Sequence, residues 1–240
     1  MPYKNLLVAI IGLLFIFLPN TLQSTCILIF RNQTGIYVAA DSRRILKSSD
    51  GKIVDKQTIM KIHSLNKVYF AISGADDSFL FDAAMNTIKP NKGINAIVKE
   101  YSEKVRQHYK IFLLEIKKKN PTQYNSYFSN AIAGVAFFGY IKDSSYLILT
   151  EFHLEKVNGK DDIKYYLVDD NPFIPLGIYD HIRAIPLNDI KGMSATMPPL
   201  EWLGKLVQVE VSSHKDSVGC PIDLLRLTNI GEERSKVPCH

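Results

Sequence analysis

Thr25 suggests chemistry through its position, because it follows a segment with the features of a cleavable leader. If the chain is cut after Ser24, the mature protein begins with a threonine that carries a hydroxyl and a free α-amine. The amine has an unperturbed pKa near ~8 and can accept the hydroxyl proton, directly or through one water. A nearby lysine ammonium would lower the pKa of that amine, and a carboxylate would hold the lysine in place. Such a threonine could attack an amide bond without a separate histidine.

Residues 1–24 have the three-part layout of a signal peptide. A polar start with Lys4 precedes an uncharged apolar run over 6–18, and Pro19 opens a polar stretch that ends at Ser24. The apolar run is shorter than the roughly 20 residues of a spanning helix, which favours a cleaved signal over a permanent anchor or a buried core helix. Ser24 is small enough for the position before the cut, whereas Leu22 is bulkier than such sites prefer. We therefore expect a secreted or periplasmic protein without a stable membrane span.

Composition limits the partners. The chain has 29 basic and 24 acidic residues and a net charge of +5. Its block of like charge, the lysines at 117–119, ends a predicted helix, where cations complement the helix dipole, so we expect no nucleic-acid partner. The six histidines are scattered without ligand spacing, and we predict neither a metal nor a cofactor. Of the three cysteines, Cys26, Cys220 and Cys239, the last two could pair in an oxidising compartment, but spacing alone does not establish a disulfide.

Hydrophobic periodicity predicts one domain over residues 25–240. Helical spacing indicates helices over 75–88, 93–119 and 199–212. Alternating or continuous apolar runs predict strands over 25–30, 36–40, 61–65, 68–72, 130–139, 145–153, 163–168, 173–177 and 222–228. The polar segment 44–52 is predicted to be a loop. This order of strands and helices predicts an α+β fold with two sheets enclosed between helical layers.

Several motifs resemble those of proteasome β-type subunits, which belong to the N-terminal nucleophile (Ntn) hydrolases. The front motifs are Thr25-Cys26-Ile27, a turn at Gly35, Ala39-Ala40-Asp41-Ser42-Arg43, Lys61-Ile62-His63 and Ser73-Gly74-Ala75. Residues 130–135 are similar to the central strand of the family, and residues 216–225 most resemble the tail of the Anbu type of bacterial homologue. The resemblance covers most of the chain after residue 24. It implies a four-layer αββα sandwich.

The resemblance also implies roles for three catalytic side chains. Thr25 would be nucleophile and base, Lys61 the charge that tunes the amine, and Asp41 the partner of the lysine. Lys56 is an alternative to Lys61, because the segment between Asp41 and the lysine is longer than is usual in the family. Lys61 is preferred because Ile-His follows it, as in the family, and the histidine at 63 is expected to be structural.

Further roles are implied for backbone and substrate-contacting groups. The N–H of Gly74 would stabilise the oxyanion, a contribution typically worth ~3 kcal/mol in the transition state. Asp216 and Ser217 match an acid–serine pair that orients the amine. Ile72 stands where the family shapes its specificity pocket, which suggests acceptance of apolar side chains, and Arg44 is also assigned to substrate binding.

The sequence departs from the family pattern at three places. Asp216 and Ser217 are adjacent, whereas the family usually separates the acid from the serine and follows the serine with two glycines. The Gly-Ser-Gly motif near the active site is absent, and residues 175–178 stand in its place. Ser24 precedes Thr25 where the family has a glycine that supports self-cleavage, so signal peptidase is expected to make the cut.

These observations predict an exported threonine peptidase. Its expected substrates are peptides or unfolded proteins, and the family likeness makes a homo-oligomer or ring an expected assembly. Two alternatives remain open. The chain could hydrolyse small non-peptide amides with the same residues, or it could be a catalytically inactive assembly or binding subunit.

Overall fold

The computed structural model describes residues 25–47, 53–169 and 171–239, and the expected leader over 1–24 lies outside them. Within these ranges the chain forms two five-stranded antiparallel sheets, a two-stranded hairpin and six helices. The strands are β1 (Cys26–Asn32), β2 (Gly35–Asp41), β3 (Arg43–Lys47), β4 (Ile53–Thr58), β5 (Ile62–Leu65), β6 (Val68–Gly74), β7 (Ala131–Ile141), β8 (Ser144–Val157), β9 (Lys160–Asp169), β10 (Phe173–Gly177), β11 (Ile222–Thr228) and β12 (Gly231–Val237). The helices are α1 (Asp77–Thr87), α2 (Ile94–Lys119), α3 (Pro121–Ser126), α4 (Asp180–Ala184), α5 (Leu187–Thr196) and α6 (Pro199–Ser213).

The first sheet has the strand order β10-β1-β2-β11-β12, and the second has the order β5-β6-β7-β8-β9. Every pairing within them is antiparallel. Strand β1 is continuously apolar from Cys26 to Phe30, and both of its faces are covered over Cys26–Ile29. Ile27 and Ile29 belong to the apolar cluster shared with the second sheet, whereas Cys26 and Leu28 face the cluster that includes α6.

Three hydrophobic clusters hold these elements together. One lies between the two sheets and contains, for example, Val38 from β2 and Phe138 from β7. A second packs α1 and α2 against the second sheet, with Tyr101 and Phe137 fully buried. A third packs α4 and α6 against the first sheet around Trp202. Each buried Leu, Ile or Phe side chain contributes roughly 1.5–3 kcal/mol, so all three clusters support the positions of the strands.

Helix α2 shows why the longest predicted helix was clear in the sequence. Its apolar residues recur at helical spacing and are buried along one face, from Ile94 and Ile97 to Tyr109 and Leu113. The helix ends at Lys119, directly before Asn120, whose side chain accepts a hydrogen bond from the Gln123 N–H and so begins α3. The predicted helix over 93–119 is confirmed.

Two strand regions differ from the sequence-based expectation. Strands β3 and β4 form a hairpin, although residues 44–52 were predicted to be a loop; residues 48–52 lie outside the described part of the chain. Strand β12 was not predicted at all. It is an edge strand, exposed along its whole length and rich in charges, so it lacks the apolar alternation by which strands are recognised.

Two further observations concern membrane-spanning helices and cysteine pairing. Among the described residues, no helix combines the length and apolar character needed to cross a membrane. Cys220 and Cys239 form a disulfide with their Cα atoms 5.9 Å apart, whereas Cys26 is a buried free thiol. The pairing that spacing left undecided is therefore present, and it links the segment before β11 to the residues after β12.

Candidate active site

Thr25 directly precedes β1, and the residue that follows β10 binds its carbonyl group. Strand β10 pairs with β1 so that Cys26 faces Gly177, and the Ile178 N–H donates to the Thr25 carbonyl oxygen at 2.6 Å. Gly177 has a φ of 85°, and a Cβ at this position would overlap that carbonyl. A glycine is therefore required here. This segment stands in place of the family's Gly-Ser-Gly motif.

Asp41 ends β2 and is completely buried, yet both of its carboxylate oxygens have donors. Oδ1 accepts from Lys61 Nζ and from the Cys26 N–H, each at 2.7 Å. Oδ2 accepts from the backbone N–H groups of Arg43 and Gly219, each at 3.1 Å. Burial raises the pKa of Asp41, and the Lys61 ammonium and the backbone donors act in the opposite direction.

Lys61 joins Asp41 to Thr25. Its Nζ lies 2.9 Å from Thr25 Oγ1 and 2.7 Å from Asp41 Oδ1, and the residue is 5% exposed. Burial lowers the pKa of Lys61, whereas Asp41 raises it. Lys61 directly precedes β5, whose pairing with β6 sets Ile62 opposite Ala71. The alternative, Lys56, lies in β4, and its side chain is outside the described part of the structure.

Ser42 and Arg43 tie the Asp41 segment to the loop before β11. Ser42 donates hydrogen bonds to two residues of that loop. Its N–H donates to the Gly219 carbonyl at 3.0 Å, and its hydroxyl donates to the Pro221 carbonyl at 2.6 Å. The Arg43 guanidinium donates to the Lys215 carbonyl and lies against Gly219, where a Cβ would overlap it. These contacts explain the motif, because each polar residue after Asp41 holds the loop that supplies a donor to Asp41.

Asp216 and Ser217 lie in the turn that follows α6. Asp216 is exposed and Ser217 is half-buried, and the Ser217 N–H donates to the His214 carbonyl at 2.8 Å. The backbone N–H of Gly219 connects this loop to the cluster of Thr25, Lys61 and Asp41 through its hydrogen bond to Asp41. Gly219 was not predicted from the sequence, since a backbone donor leaves little trace in residue type.

The proposed oxyanion donor, Gly74, ends β6, two residues after Ile72. Gly74 has a φ of 139°, and a Cβ there would overlap Ala133 on β7. The position therefore needs glycine for steric reasons whether or not its N–H takes part in chemistry. Ser73, directly before it, is buried, and its hydroxyl oxygen lies 2.9 Å from where a Gly177 Cβ would be. Ser73 was not assigned to the site from the sequence, although it lies close to Thr25.

A cleft of about 370 Å³ opens beside Thr25 and Lys61. Ile72 belongs to its wall, as expected for a specificity residue, and the side chain of Arg44 lies outside the described part of the structure. The other lining residues are Ile59, Met60, His63, Asp77, Ser78, Phe81 and Asp82. The cleft thus combines apolar side chains with two carboxylates that the sequence analysis did not assign.

Two groups near Thr25, Cys26 and His63, are packed side chains. The Cys26 thiol is fully buried, and burial, followed by Asp41, raises its pKa well above the usual value, so it is not a reactive thiolate. Burial lowers the pKa of His63, whose ring packs edge-on against Phe81 and tilted against Phe70. His63 is therefore a packed side chain in the cleft wall.

The chain is similar to several solved structures of Anbu proteins. Anbu (ancestral beta-subunit) from Yersinia bercovieri matches with a TM-score of 0.58 and 15% identity, over 89% of this chain and 87% of that chain. Two structures of Anbu from Hyphomicrobium sp. strain MC1, one of them a Gly-1 mutant, match over the same shares. Their TM-scores are 0.50, with 18% identity for the mutant and 13% for the other. The chain has the Anbu fold.

At these identities the likeness concerns the fold alone. No protein-family model and no curated protein sequence matches the chain. The expectation of a proteasome-related fold is therefore confirmed, whereas the roles of individual residues remain predictions that rest on the geometry of the site. That geometry brings Thr25, Lys61 and Asp41 into one hydrogen-bonded chain within the Anbu fold.

Proposed function

We propose that the mature chain is an exported threonine hydrolase that cleaves peptide bonds with Thr25 as its nucleophile. The observation that carries this proposal is the position of Lys61, whose ammonium nitrogen contacts both Thr25 Oγ1 and Asp41 Oδ1 in a buried site. A strand residue without a chemical role does not need a buried lysine at its hydroxyl. A buried charge is costly unless it is paired, and here the pair is directed at one hydroxyl.

The reaction would proceed in two displacement steps. The Thr25 Oγ attacks the carbonyl carbon of the scissile bond while its proton passes to the α-amine of the same residue. The carbon–nitrogen bond then breaks, the leaving amine takes that proton, and an ester to Thr25 remains. Water hydrolyses the ester by the same acid–base route. Lys61 lowers the pKa of the α-amine by charge repulsion, and the Gly74 N–H stabilises the oxyanion of both tetrahedral intermediates.

We propose an αββα sandwich for the layer arrangement. The three apolar clusters support it, since one lies between the sheets and the other two lie between a sheet and helices.

Export followed by cleavage after Ser24 is supported by the leader pattern and by the Cys220–Cys239 disulfide, because such bonds persist in oxidising compartments. We also propose that copies of the chain associate into a closed oligomer, an inference from the fold likeness that sedimentation velocity would test.

The cleft supports a substrate side chain with an apolar stem and a neutral or positive end. Ile72 and Phe81 offer apolar contacts, and Asp77 and Asp82 add negative charge. Lysine and arginine bury their stems while keeping the charged end near solvent. We therefore extend the expectation of apolar specificity to basic side chains and expect acidic ones to be rejected.

The decisive experiment is to isolate the secreted chain, determine the mass of its first peptide and treat it with a covalent probe that requires a hydroxyl and an adjacent free amine. We expect the peptide to start at Thr25 and the probe to label wild type but not Thr25→Ala. A mature chain that begins elsewhere, or a blocked amine, would refute the mechanism. Digestion of a peptide panel and of small non-peptide amides then separates a peptidase from an amidohydrolase, and absence of labelling together with absence of turnover on both favours an inactive subunit.

A further inference from the structure

His181, Glu210 and His214 bring three potential ligand atoms together outside the cluster around Thr25. His181 is the second residue of α4. Glu210 lies in the last turn of α6, and His214 follows that helix directly, one helical turn after Glu210. His181 Nδ1 is 3.1 Å from His214 Nε2, and each of these nitrogens is 3.5 Å from Glu210 Oε2. Within the described ranges, this is the single group of three or more His, Cys, Asp or Glu side chains whose ligand atoms converge as a metal site requires.

Glu210 is the unusual member of this group because it is completely buried. Its Oε1 accepts from the Ile182 N–H at 2.7 Å, but among the described residues its Oε2 has no hydrogen-bond donor. Burial of an unpaired carboxylate oxygen is costly. The two imidazole nitrogens at 3.5 Å are beyond the usual range of an N–H···O hydrogen bond, so protein donors alone do not satisfy this oxygen.

The spacing of the three atoms matches what a small tetrahedral cation requires. Zinc binds imidazole nitrogen and carboxylate oxygen at about 2.0–2.2 Å, which separates neighbouring ligand atoms by roughly 3.3–3.5 Å. The observed separations of 3.1, 3.5 and 3.5 Å enclose a point about 2 Å from all three atoms. Imidazole and carboxylate are also ligand types that zinc and its neighbours in the first transition row accept.

We propose that His181, Glu210 and His214 bind a divalent transition-metal ion of the zinc class. His181 is 48% exposed, so the ion can enter from solvent and water can complete its coordination. The ion would join α4 to the end of α6, where the His214 carbonyl accepts the N–H groups of Ser217 and Val218. Its expected role is structural, and the proposal does not depend on the proposed peptidase activity.

The test uses the secreted full-length protein without a histidine tag, stripped with EDTA and passed into metal-free buffer. Titration calorimetry with Zn²⁺ is expected to give one site per chain, and Co²⁺ is expected to give the intense visible absorption of a four-coordinate site. His181→Asn removes an exposed ligand with little risk to folding and should weaken Zn²⁺ binding at least about tenfold to a hundredfold. His214→Asn and Glu210→Gln should have effects of similar or larger size.

His153→Asn is the matched control. His153 also lies near a glutamate, Glu151, with 3.7 Å between His153 Nε2 and Glu151 Oε2, but the described residues offer no third converging ligand there. It should leave the affinity and the Co²⁺ spectrum unchanged. The proposal would be overturned by an absence of stoichiometric binding in wild type, or by binding that survives in His181→Asn and His214→Asn alike. Since these readouts do not involve peptide cleavage, an inactive but metal-binding protein would refute the peptidase proposal alone.

Discussion

Asp41 and Glu210 are both completely buried carboxylates, but their surroundings differ. Asp41 accepts from one ammonium and three backbone N–H groups, so both of its oxygens are satisfied by the protein. Glu210 has one oxygen bound to a backbone N–H, while the other faces two imidazoles and lacks a hydrogen bond from any described residue. The first carboxylate is part of a completed charge pair, whereas at the second the proposed metal ion would supply the positive charge.

This difference separates two uses of a buried negative charge. The donors around Asp41 hold Lys61 in one position, which is what a site with a fixed nucleophile requires. The atoms around Glu210 converge on a space that a metal ion fits. The two regions are adjacent in the structure because the loop after His214 carries Gly219, a donor to Asp41. Four substitutions test the comparison.

Lys61→Met should have the largest effect, because it leaves the Asp41 carboxylate without its cation. We expect the free energy of unfolding to fall by about 3 kcal/mol, as is usual when one partner of a buried ion pair is removed. Peptide turnover should fall at least roughly a hundredfold to a thousandfold, the range found when a key electrostatic group is lost. Urea unfolding and a fluorogenic peptide assay measure the two effects. Lys56→Met is the control, and a loss in that variant without a loss in Lys61→Met would reverse the choice between the two lysines.

Asp41→Asn should lower the free energy of unfolding and change the pH dependence of turnover. An amide nitrogen at Oδ2 would face the N–H donors of Arg43 and Gly219, at a cost of about 1–3 kcal/mol. In wild type, kcat/KM should rise with pH as the α-amine loses its proton and fall as Lys61 loses its own. Burial lowers the pKa of Lys61 from 10.5, so the fall should begin below that value.

Since Asp41 raises the pKa of Lys61, the alkaline fall should move to lower pH in Asp41→Asn. A pH–rate profile of the two proteins measures this shift, with Thr25→Ala as the blank. An unchanged alkaline limb would mean that Lys61 does not control the rate in the way proposed.

Ser42→Ala tests the connection between the two regions. The buried hydroxyl donates to the Pro221 carbonyl at 2.6 Å, and its removal should cost about 1–2 kcal/mol. Turnover should decrease as well, because the loop that carries Gly219 loses a contact with the Asp41 segment. Ser102→Ala is a matched control, since its hydroxyl is also buried but donates to Val98 within α2. Equal effects of the two substitutions on turnover would argue against a role for the connection.

Glu210→Gln should have the smallest effect on the metal-free protein. Its Oε1 keeps the bond to the Ile182 N–H, and the unsatisfied negative charge is removed, so stability in EDTA should change by less than about 1 kcal/mol. In excess Zn²⁺ the wild type should gain stability and the variant should not. Paired urea titrations with and without Zn²⁺ measure this. A large loss in EDTA would indicate that the protein already satisfies Glu210 in another way.

Much of the arrangement around Thr25 could be predicted because its residues are polar groups at fixed places beside strong apolar strands. The runs that became β1 and β2 placed Thr25 and Asp41 at adjacent strand ends, which the pairing of Ile27 with Ala40 explains. Lys61 was distinguished from Lys56 by the residues that follow it. Gly219 could not be predicted, because it contributes a backbone N–H and reaches Asp41 only after the chain has folded.

The cluster at His181, Glu210 and His214 was missed for a different reason. Glu210 and His214 are four residues apart, a spacing that puts two ligands on one face of a helix. The predicted helix stopped at residue 212, whereas α6 continues to Ser213 and His214 follows directly. The third member, His181, comes from a separate helix, and its proximity depends on the packing of α4 against α6. The histidines therefore looked scattered in sequence although two of them are neighbours in space.

The hydrogen bonds on either side of the Thr25 carbonyl have a consequence for substrate attack. The Ile178 N–H donates to that oxygen and Asp41 accepts the next N–H, so Thr25 is anchored on its C-terminal side. Proteolytic release would then expose the amine without requiring the hydroxyl to find a new orientation. A flexible chain end would lose conformational entropy on acylation. In this fold that entropy has already been lost during folding.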